Sequence, residues 1–233
     1  MQLFYSPNIH ESQAEFVFDK QESNHITKVL RKKVGDVLCL TNGKGWRFDA
    51  EITEVFSKSC TVKIIESQLV KKPKYHLHIA IAPTKMNDRF EWFLEKATEI
   101  GIQSITPIIC ERSERKVIKQ ERFEKVIQTA MKQSFQFYKP KLNDVKTFSE
   151  FIKKNQSTQK FIAHCENTEK QNLLNLIEPK ADYTILIGPE GDFSVKEIET
   201  ALKAEYIPIT LGNTRLRTET AGIVACHTVS IAN

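Results

Sequence analysis

Along residues 1 to about 70, hydrophobic and polar positions alternate in short runs. "FVFDK" and "VLCLTNGKGWRFDAEITEVFSKSCTVKIIE" follow the two-residue period of strands, and the tight "TNGKGW" with Asn42-Gly43 signals a hairpin. A single short helix is expected there, "ESNHITKVL", with Ser23 as its cap. These elements predict a small β-barrel. "VKKPKY", Val70 to Tyr75, then combines charge and a proline with no apolar periodicity, and marks a domain boundary.

Past that boundary strands and helices alternate. "LHIAIA" (Leu77 to Ala82) reads as a strand, and "NDRFEWFLEKATEIG" places Phe90, Phe93, Leu94, Ala97 and Ile100 on one helical stripe that stops at Gly101. "SITPIIC" is the next strand, and "QERFEKVIQTAMKQSFQF" repeats the helical spacing through Phe123, Val126, Ile127, Ala130 and Met131. "KFIAHC", "YTILIG" and "YIPITLG" are three further strands, with "SVKEIETALKA" as a helix between the last two. Ser194 and Glu197 have the spacing of a capping box at its start. Strands this apolar, interleaved with helices, imply a mostly parallel sheet covered on both faces.

Composition bounds the function classes. The chain has 233 residues, 27% charged and 40% hydrophobic, which suits a globular protein of one or two domains, and its net charge of +5 is a weak pointer to a polyanionic partner. Five cysteines, Cys39, Cys60, Cys110, Cys165 and Cys226, are odd in number and widely spaced, so neither a zinc site nor a disulfide framework is expected. No signal peptide and no apolar run of membrane-spanning length is seen, and a cytosolic protein is expected.

Chemistry concentrates late. Gly188, Gly191, Gly212 and Gly222 fall in the last fifth of the chain, and Gly188 and Gly212 directly follow strands. In an open parallel sheet, ligands bind at the carboxyl ends of strands, where glycine permits close backbone approach. "LIGPEGDFS" alone is equally compatible with a plain βα turn. Neither Walker nor Gly-x-Gly-x-x-Gly patterns occur.

"LGNTRLRTETAG" and "LIGPEGDFS" together resemble the signatures of the RsmE family, the small-subunit ribosomal RNA uridine-N3 methyltransferases of the SPOUT superfamily. The resemblance extends through "KMNDRFEWFLEKATEIG", Arg112-Ser113, Gln133-Ser134 followed by Pro140, and the N-terminal "HITKVLRKKVGDVLCLTNGKG", nearly the whole chain. Two positions depart from the family pattern: Asp192 replaces a usual glycine and Gln136 a frequent arginine. What the resemblance implies is an α/β fold with a SPOUT-type trefoil-knotted parallel sheet over residues 73–233. A PUA-like β-barrel over residues 1–70 precedes it. The family works as homodimers on 16S ribosomal RNA in the small subunit, with S-adenosylmethionine as cofactor.

Ile187, Gly188, Pro189, Gly191, Leu211, Gly212 and Leu216 are then the candidate cofactor contacts, with Ile223 and Val224 beneath the site. Methyl transfer to uridine N3 requires that its proton leave while negative charge spreads onto O2 and O4, so a base and a cationic stabiliser are needed. Arg217 is the candidate stabiliser, and Glu219 or Glu190 the base. With Thr218 as helix N-cap, Glu219 would fall in the first turn, where the helix dipole favours an acid regardless of catalysis. Arg31, Lys32, Arg47, Lys85, Arg89, Arg112 and Arg115 are candidate RNA contacts, with Lys33 beside them and Trp46 able to stack or to pack. Two rival readings stay open: an idle RNA-binding protein that keeps the fold, and a SPOUT methyltransferase acting at a different RNA position or on a ribose.

Overall fold

The structure is a computed structural model that describes residues 2–56 and 59–233; Ser57 and Lys58, within the β-run read from the sequence, lie outside the described residues. The chain divides into two compact units, Met1–Lys72 with Met131–Lys139, and Pro73–Ala130 with Pro140–Asn233.

In the first unit, β1 (Leu3–Tyr5), β2 (Glu15–Val17), β3 (Val37–Thr41), β4 (Trp46–Val55) and β5 (Cys60–Leu69) form one sheet in the order β1-β3-β4-β5-β2. β3, β4 and β5 pair antiparallel through Asn42–Gly45 and the β4–β5 connection, as the alternation predicts. Phe4, Phe18, Ile26, Leu40, Phe48, Ile52 and Val62 fill its core. The expected helix is α1 (Lys20–Asn24), continued by a π-helical turn, His25–Val29. Its cap is Asp19, whose carboxylate accepts the Glu22 N–H at 2.8 Å, rather than Ser23. Ser23 is buried instead, its hydroxyl donating to the Phe18 carbonyl and accepting the Cys60 N–H, so a core hydrogen-bonding role won over the cap. Trp46 packs against Phe48 with ring centroids 6.3 Å apart.

The second unit carries one parallel sheet. β6 (His76–Ile81), β7 (Ser104–Ile109), β8 (Lys141–Leu142), β10 (Gln159–Ala163), β11 (Gln171–Asn172), β12 (Asp182–Ile187) and β13 (Ile207–Thr210) lie in the order β11-β13-β10-β12-β6-β7-β8, and β9 (Lys146–Thr147) pairs parallel with the end of β7. Successive residues of a strand face opposite sides. Leu77, Ile79 and Ile81 of β6 and Tyr183, Ile185 and Ile187 of β12 therefore join Phe90, Phe93, Phe123, Ile127, Ala225 and Val229 in one core. Ala80, Ile162 and Leu186 turn the other way, onto Phe148, Phe151, Phe193 and Ile198. That two-sided burial explains why these strands lack a polar period.

The helices on the first face are α2 (Asn87–Ile100), α3 (Gln120–Gln133) and α6 (Thr218–Ile231), and on the second α4 (Phe148–Lys154) and α5 (Val195–Lys203). α2 buries Phe90, Phe93, Leu94 and Ala97 and ends at Gly101, left-handed at φ 102°, whose N–H reaches the Ala97 and Thr98 carbonyls. Ser194 and Glu197 cap α5 reciprocally. The start of α6 differs from expectation: Arg217 occupies the cap position without a side-chain bond, and Thr218 is the first helical residue. Gly222 of α6 packs close to α2; a Cβ there would meet the Phe93 ring at 2.6 Å. Among the described residues no helix is long and apolar enough to cross a membrane, and no cluster of His, Cys, Asp and Glu could hold a metal ion.

Candidate active site

Three neighbouring strands, β13, β10 and β12, end at the same edge of the sheet, and the segments that follow them enclose a cleft of about 330 Å³. β10 contributes Ala163, His164 and Cys165; β12 contributes Ile187 to Glu190 and Asp192; β13 and its loop contribute Ile209 to Gly212 and Thr214 to Arg217, with Thr218 and Ala221 of α6. The volume falls in the range of small-molecule sites, roughly 300–1,000 Å³. Its wall is apolar at the strand ends and charged at its exposed rim, where Glu190, Arg215 and Arg217 stand.

Local bonds hold the walls. The Thr218 hydroxyl is occupied by the Gly188 carbonyl at 3.0 Å, which joins the start of α6 to the turn after β12 and explains why it does not cap the helix. Gly188 is closely packed: an added Cβ would lie 3.1 Å from the Phe193 ring, tighter than most such contacts. Asp192 is left-handed at φ 64°, the conformation for which glycine carries no steric cost, so its backbone accounts for the glycine usual at this position. Its carboxylate accepts two backbone N–H groups, from Cys165 at 2.7 Å and from Phe193 at 2.8 Å. Hence the residue that departs from the pattern clasps the β10 segment to the β12 turn.

On the opposite side, Glu190 accepts the Lys85 N–H at 2.9 Å, and Arg115 donates to the Thr84 and Lys85 carbonyls and to Asn87. Arg112 donates to the Gly191 carbonyl at 3.0 Å. Arg112 and Arg115 thus bind the protein's own loops, and Lys85 pairs with Glu114 at 2.8 Å. Glu219 is buried, outside the cleft lining, with Arg89 Nε 4.0 Å from its carboxylate. Arg47 pairs with Asp49 at 2.8 Å, whereas Arg31 is exposed and Lys32 half-buried, both in the β-unit.

Of the residues singled out from the sequence, the cleft brings together Ile187, Gly188, Pro189, Glu190, Leu211, Gly212, Leu216 and Arg217. Gly191 is exposed beside Arg112, and Ile223 packs on the first-face core. Gly212 has φ 149°, and a Cβ built there would meet nothing within 4 Å. Thr210, Thr214 and Ala221 line the cleft without having been singled out; two threonines flanking a glycine turn after a strand were the available signal. His164 lines it with only 7% of its surface exposed, and neither ring nitrogen has a hydrogen-bond partner among the described residues.

Residues 70–230 match an RNA methyltransferase domain, and residues 18–65 an RNA methyltransferase PUA domain. A protein of Buchnera aphidicola named ribosomal RNA small subunit methyltransferase E is 32% identical over 91% of this chain and 86% of its own length. A crystal structure from Porphyromonas gingivalis, described as that of a probable rRNA methyltransferase, is 40% identical, with TM-score 0.92 over 99% of both chains. Another, the Neisseria gonorrhoeae ribosomal RNA small subunit methyltransferase E bound to S-adenosylmethionine, is 25% identical, with TM-score 0.87 over 97% of this chain and 95% of that one. The sheet edge that forms the cleft therefore lies within an RNA methyltransferase domain that follows a PUA domain in the sequence, and the chain belongs to the ribosomal RNA small subunit methyltransferase E family.

Proposed function

We propose that the chain transfers the methyl group of S-adenosylmethionine to N3 of a uridine in 16S ribosomal RNA, within the small subunit, in the cytoplasm and as a homodimer. The observation that carries this reading is the convergence of the Gly-Pro-Glu-Gly turn and the Leu211–Arg217 loop on one cleft, bonded to each other through Thr218 and Gly188. The three cleft segments follow β10, β12 and β13, which are adjacent in the sheet, and we read them as the loops of a trefoil knot.

The cleft fits the cofactor on its own terms. Its strand-end wall of Ala163, Ile187, Ile209, Leu211 and Leu216 is apolar enough for an adenine ring. The two unpartnered His164 nitrogens supply polar partners at that depth. Ile187, Gly188, Leu211, Gly212 and Leu216 would hold it chiefly by backbone groups. When bound, S-adenosylmethionine supplies an activated methyl group, so the protein has only to bind, orient and adjust charge.

Arg217 stands exposed at the cleft rim, where a fixed guanidinium can stabilise anionic charge on the uridine oxygens. Glu190 shares that rim, with one carboxylate oxygen accepting the Lys85 N–H and the other able to take the N3 proton. Glu219 is buried away from the lining beside Arg89, so Glu190 is the better placed base. For RNA, Arg31 and Lys32 are the candidates that make no ion pair among the described residues, and Arg89, 40% exposed at its side chain, is held only loosely by Glu219 at 4.0 Å.

Purified small subunits lacking the modification, incubated with the protein and methyl-labelled cofactor, provide the test. Mass spectrometry of the digested RNA should find label in one uridine of 16S RNA as N3-methyluridine. Label in a ribose, in another base or in no RNA overturns the assignment.

A further inference from the structure

His164 is the one cleft residue whose side chain is buried, polar and unsatisfied. It directly follows β10, the strand between β12 and β13, and it lines the cleft with 7% of its surface exposed. Neither Nδ1 nor Nε2 has a partner among the described residues. Buried polar groups are nearly always hydrogen-bonded, and one left unpaired is destabilising. Such an arrangement in a ligand cleft points to a partner that arrives with the ligand.

The backbone around the ring is held firmly. On one side, the Asp192 carboxylate accepts the Cys165 N–H at 2.7 Å; on the other, the Lys170 ammonium donates to the His164 carbonyl at 3.0 Å and to the Glu166 carbonyl at 2.6 Å. Burial, and then Lys170, holds the imidazole below its ordinary pKa, against weaker opposing pulls from Asp192 and Glu166. At neutral pH the ring is therefore uncharged, with one N–H donor and one acceptor.

We propose that His164 hydrogen-bonds a ribose hydroxyl of the nucleoside that fills the cleft. This assignment rests on the cofactor reading above and adds a specificity-determining contact to it. Of the charged side chains that line the cleft, Glu190, Arg215 and Arg217 stand at the exposed rim, where the charged amino-acid end of S-adenosylmethionine can remain solvated, while the carboxylate of half-buried Asp192 is taken up by the Cys165 and Phe193 N–H groups. His164 belongs with the apolar strand-end wall of Ala163, Ile187 and Ile209. A group next to the adenine in that wall has to be neutral and able to bond in both directions. A hydroxyl meets a neutral imidazole on those terms whichever tautomer is present.

The test measures, by calorimetry on the full chain, binding of S-adenosylmethionine and of 5′-methylthioadenosine, which keeps the ribose and lacks the amino-acid end. His164→Phe, which retains a planar ring, should weaken both by the same factor, roughly three- to tenfold. Asn places an amide near the Nδ1 position and Gln near Nε2, so one of His164→Asn and His164→Gln should recover part of the affinity and identify the nitrogen. On the unaltered chain, the imidazole nitrogen resonances should move when 5′-methylthioadenosine is added. Loss for S-adenosylmethionine alone would move the contact to the amino-acid end and overturn the proposal, as would unchanged affinities or unmoved resonances. A parent chain that binds neither compound would overturn the cofactor reading itself, and this contact with it.

Discussion

The Thr218 hydroxyl donates to the Gly188 carbonyl at 3.0 Å, so two segments thirty residues apart in sequence form one wall of the cleft. Both residues are buried, and the bond spans the two motifs that make the chain recognisable. Thr218→Val keeps the shape and removes the donor. The stranded carbonyl should cost about 1–3 kcal/mol of stability. Thermal unfolding should show this as a fall in Tm of about 2–4 °C per kcal/mol for a chain of this size. Thr218→Ser should retain most of it.

Arg217→Ala should leave cofactor binding within about twofold and reduce methyl transfer by a factor of about a hundred to a thousand, the usual cost of removing one preorganised charge contact. Its guanidinium makes no ion pair among the described residues, so the substitution strands no buried carboxylate. Arg217→Lys should recover only part, because a point charge does not reproduce a planar fork. Single-turnover transfer to small subunits at saturating cofactor gives the rate, and calorimetry gives the affinity.

At Asp192 a backbone cost and a side-chain gain oppose each other. The residue holds φ 64° and accepts two N–H groups through its carboxylate. Asp192→Asn tolerates the left-handed conformation and keeps one acceptor, so it should lose least. Asp192→Gly relieves the backbone and loses the clasp. Asp192→Ala keeps the strain with no clasp and should be the least stable, by about 1–3 kcal/mol. Urea unfolding of the three variants should give that order.

Much of this architecture follows from local pattern. The stripe from Phe90 to Ala97, the stop at Gly101 and the Ser194–Glu197 box needed only helical spacing and cap chemistry, and the structure places them as read. α4 was legible too, since Thr147 and Glu150 make the same capping box in "TFSE", but its seven residues are too few for a clear apolar stripe. What local pattern does not contain is competition from distant partners. Thr218 and Ser23 both have the composition of caps, yet the Gly188 carbonyl claims one hydroxyl and the Phe18 carbonyl with the Cys60 N–H claims the other. Arg112 and Arg115 likewise donate to loop carbonyls distant in sequence, bonds that local pattern does not reveal.

Acid should destabilise the second unit through His78. Its Nε2 lies 2.7 Å from the Thr106 hydroxyl and its ring meets Phe151 edge-on. Burial, with added repulsion from His76, Lys146 and Lys141, lowers its pKa from 6.5 to about 4. Between those values the unfolded chain takes up a proton that the folded chain refuses, so stability is full above the window and falls as pH drops through it. The loss should reach at most about 3 kcal/mol. His164, also held low, acts in the same direction, so the informative quantity is the difference from His78→Gln. Urea unfolding at a series of pH values should show a shallower acid slope for that variant.

Residues Met131–Lys139 belong to the β-unit although nearly sixty residues of the other unit precede them in the chain. The Phe137 carbonyl accepts the Gly45 N–H at 2.8 Å, the Lys139 N–H reaches the Gly43 carbonyl at 2.9 Å, and the Tyr138 hydroxyl donates to the Val70 carbonyl at 2.9 Å. The β3–β4 hairpin is thus buttressed by a strap made much later. During synthesis at roughly 5–20 residues per second, the first 72 residues wait on the order of several seconds for it. The nascent β-unit must persist through that interval with the hairpin tip unsupported, and the domain that begins first is completed only when the second is already well under way.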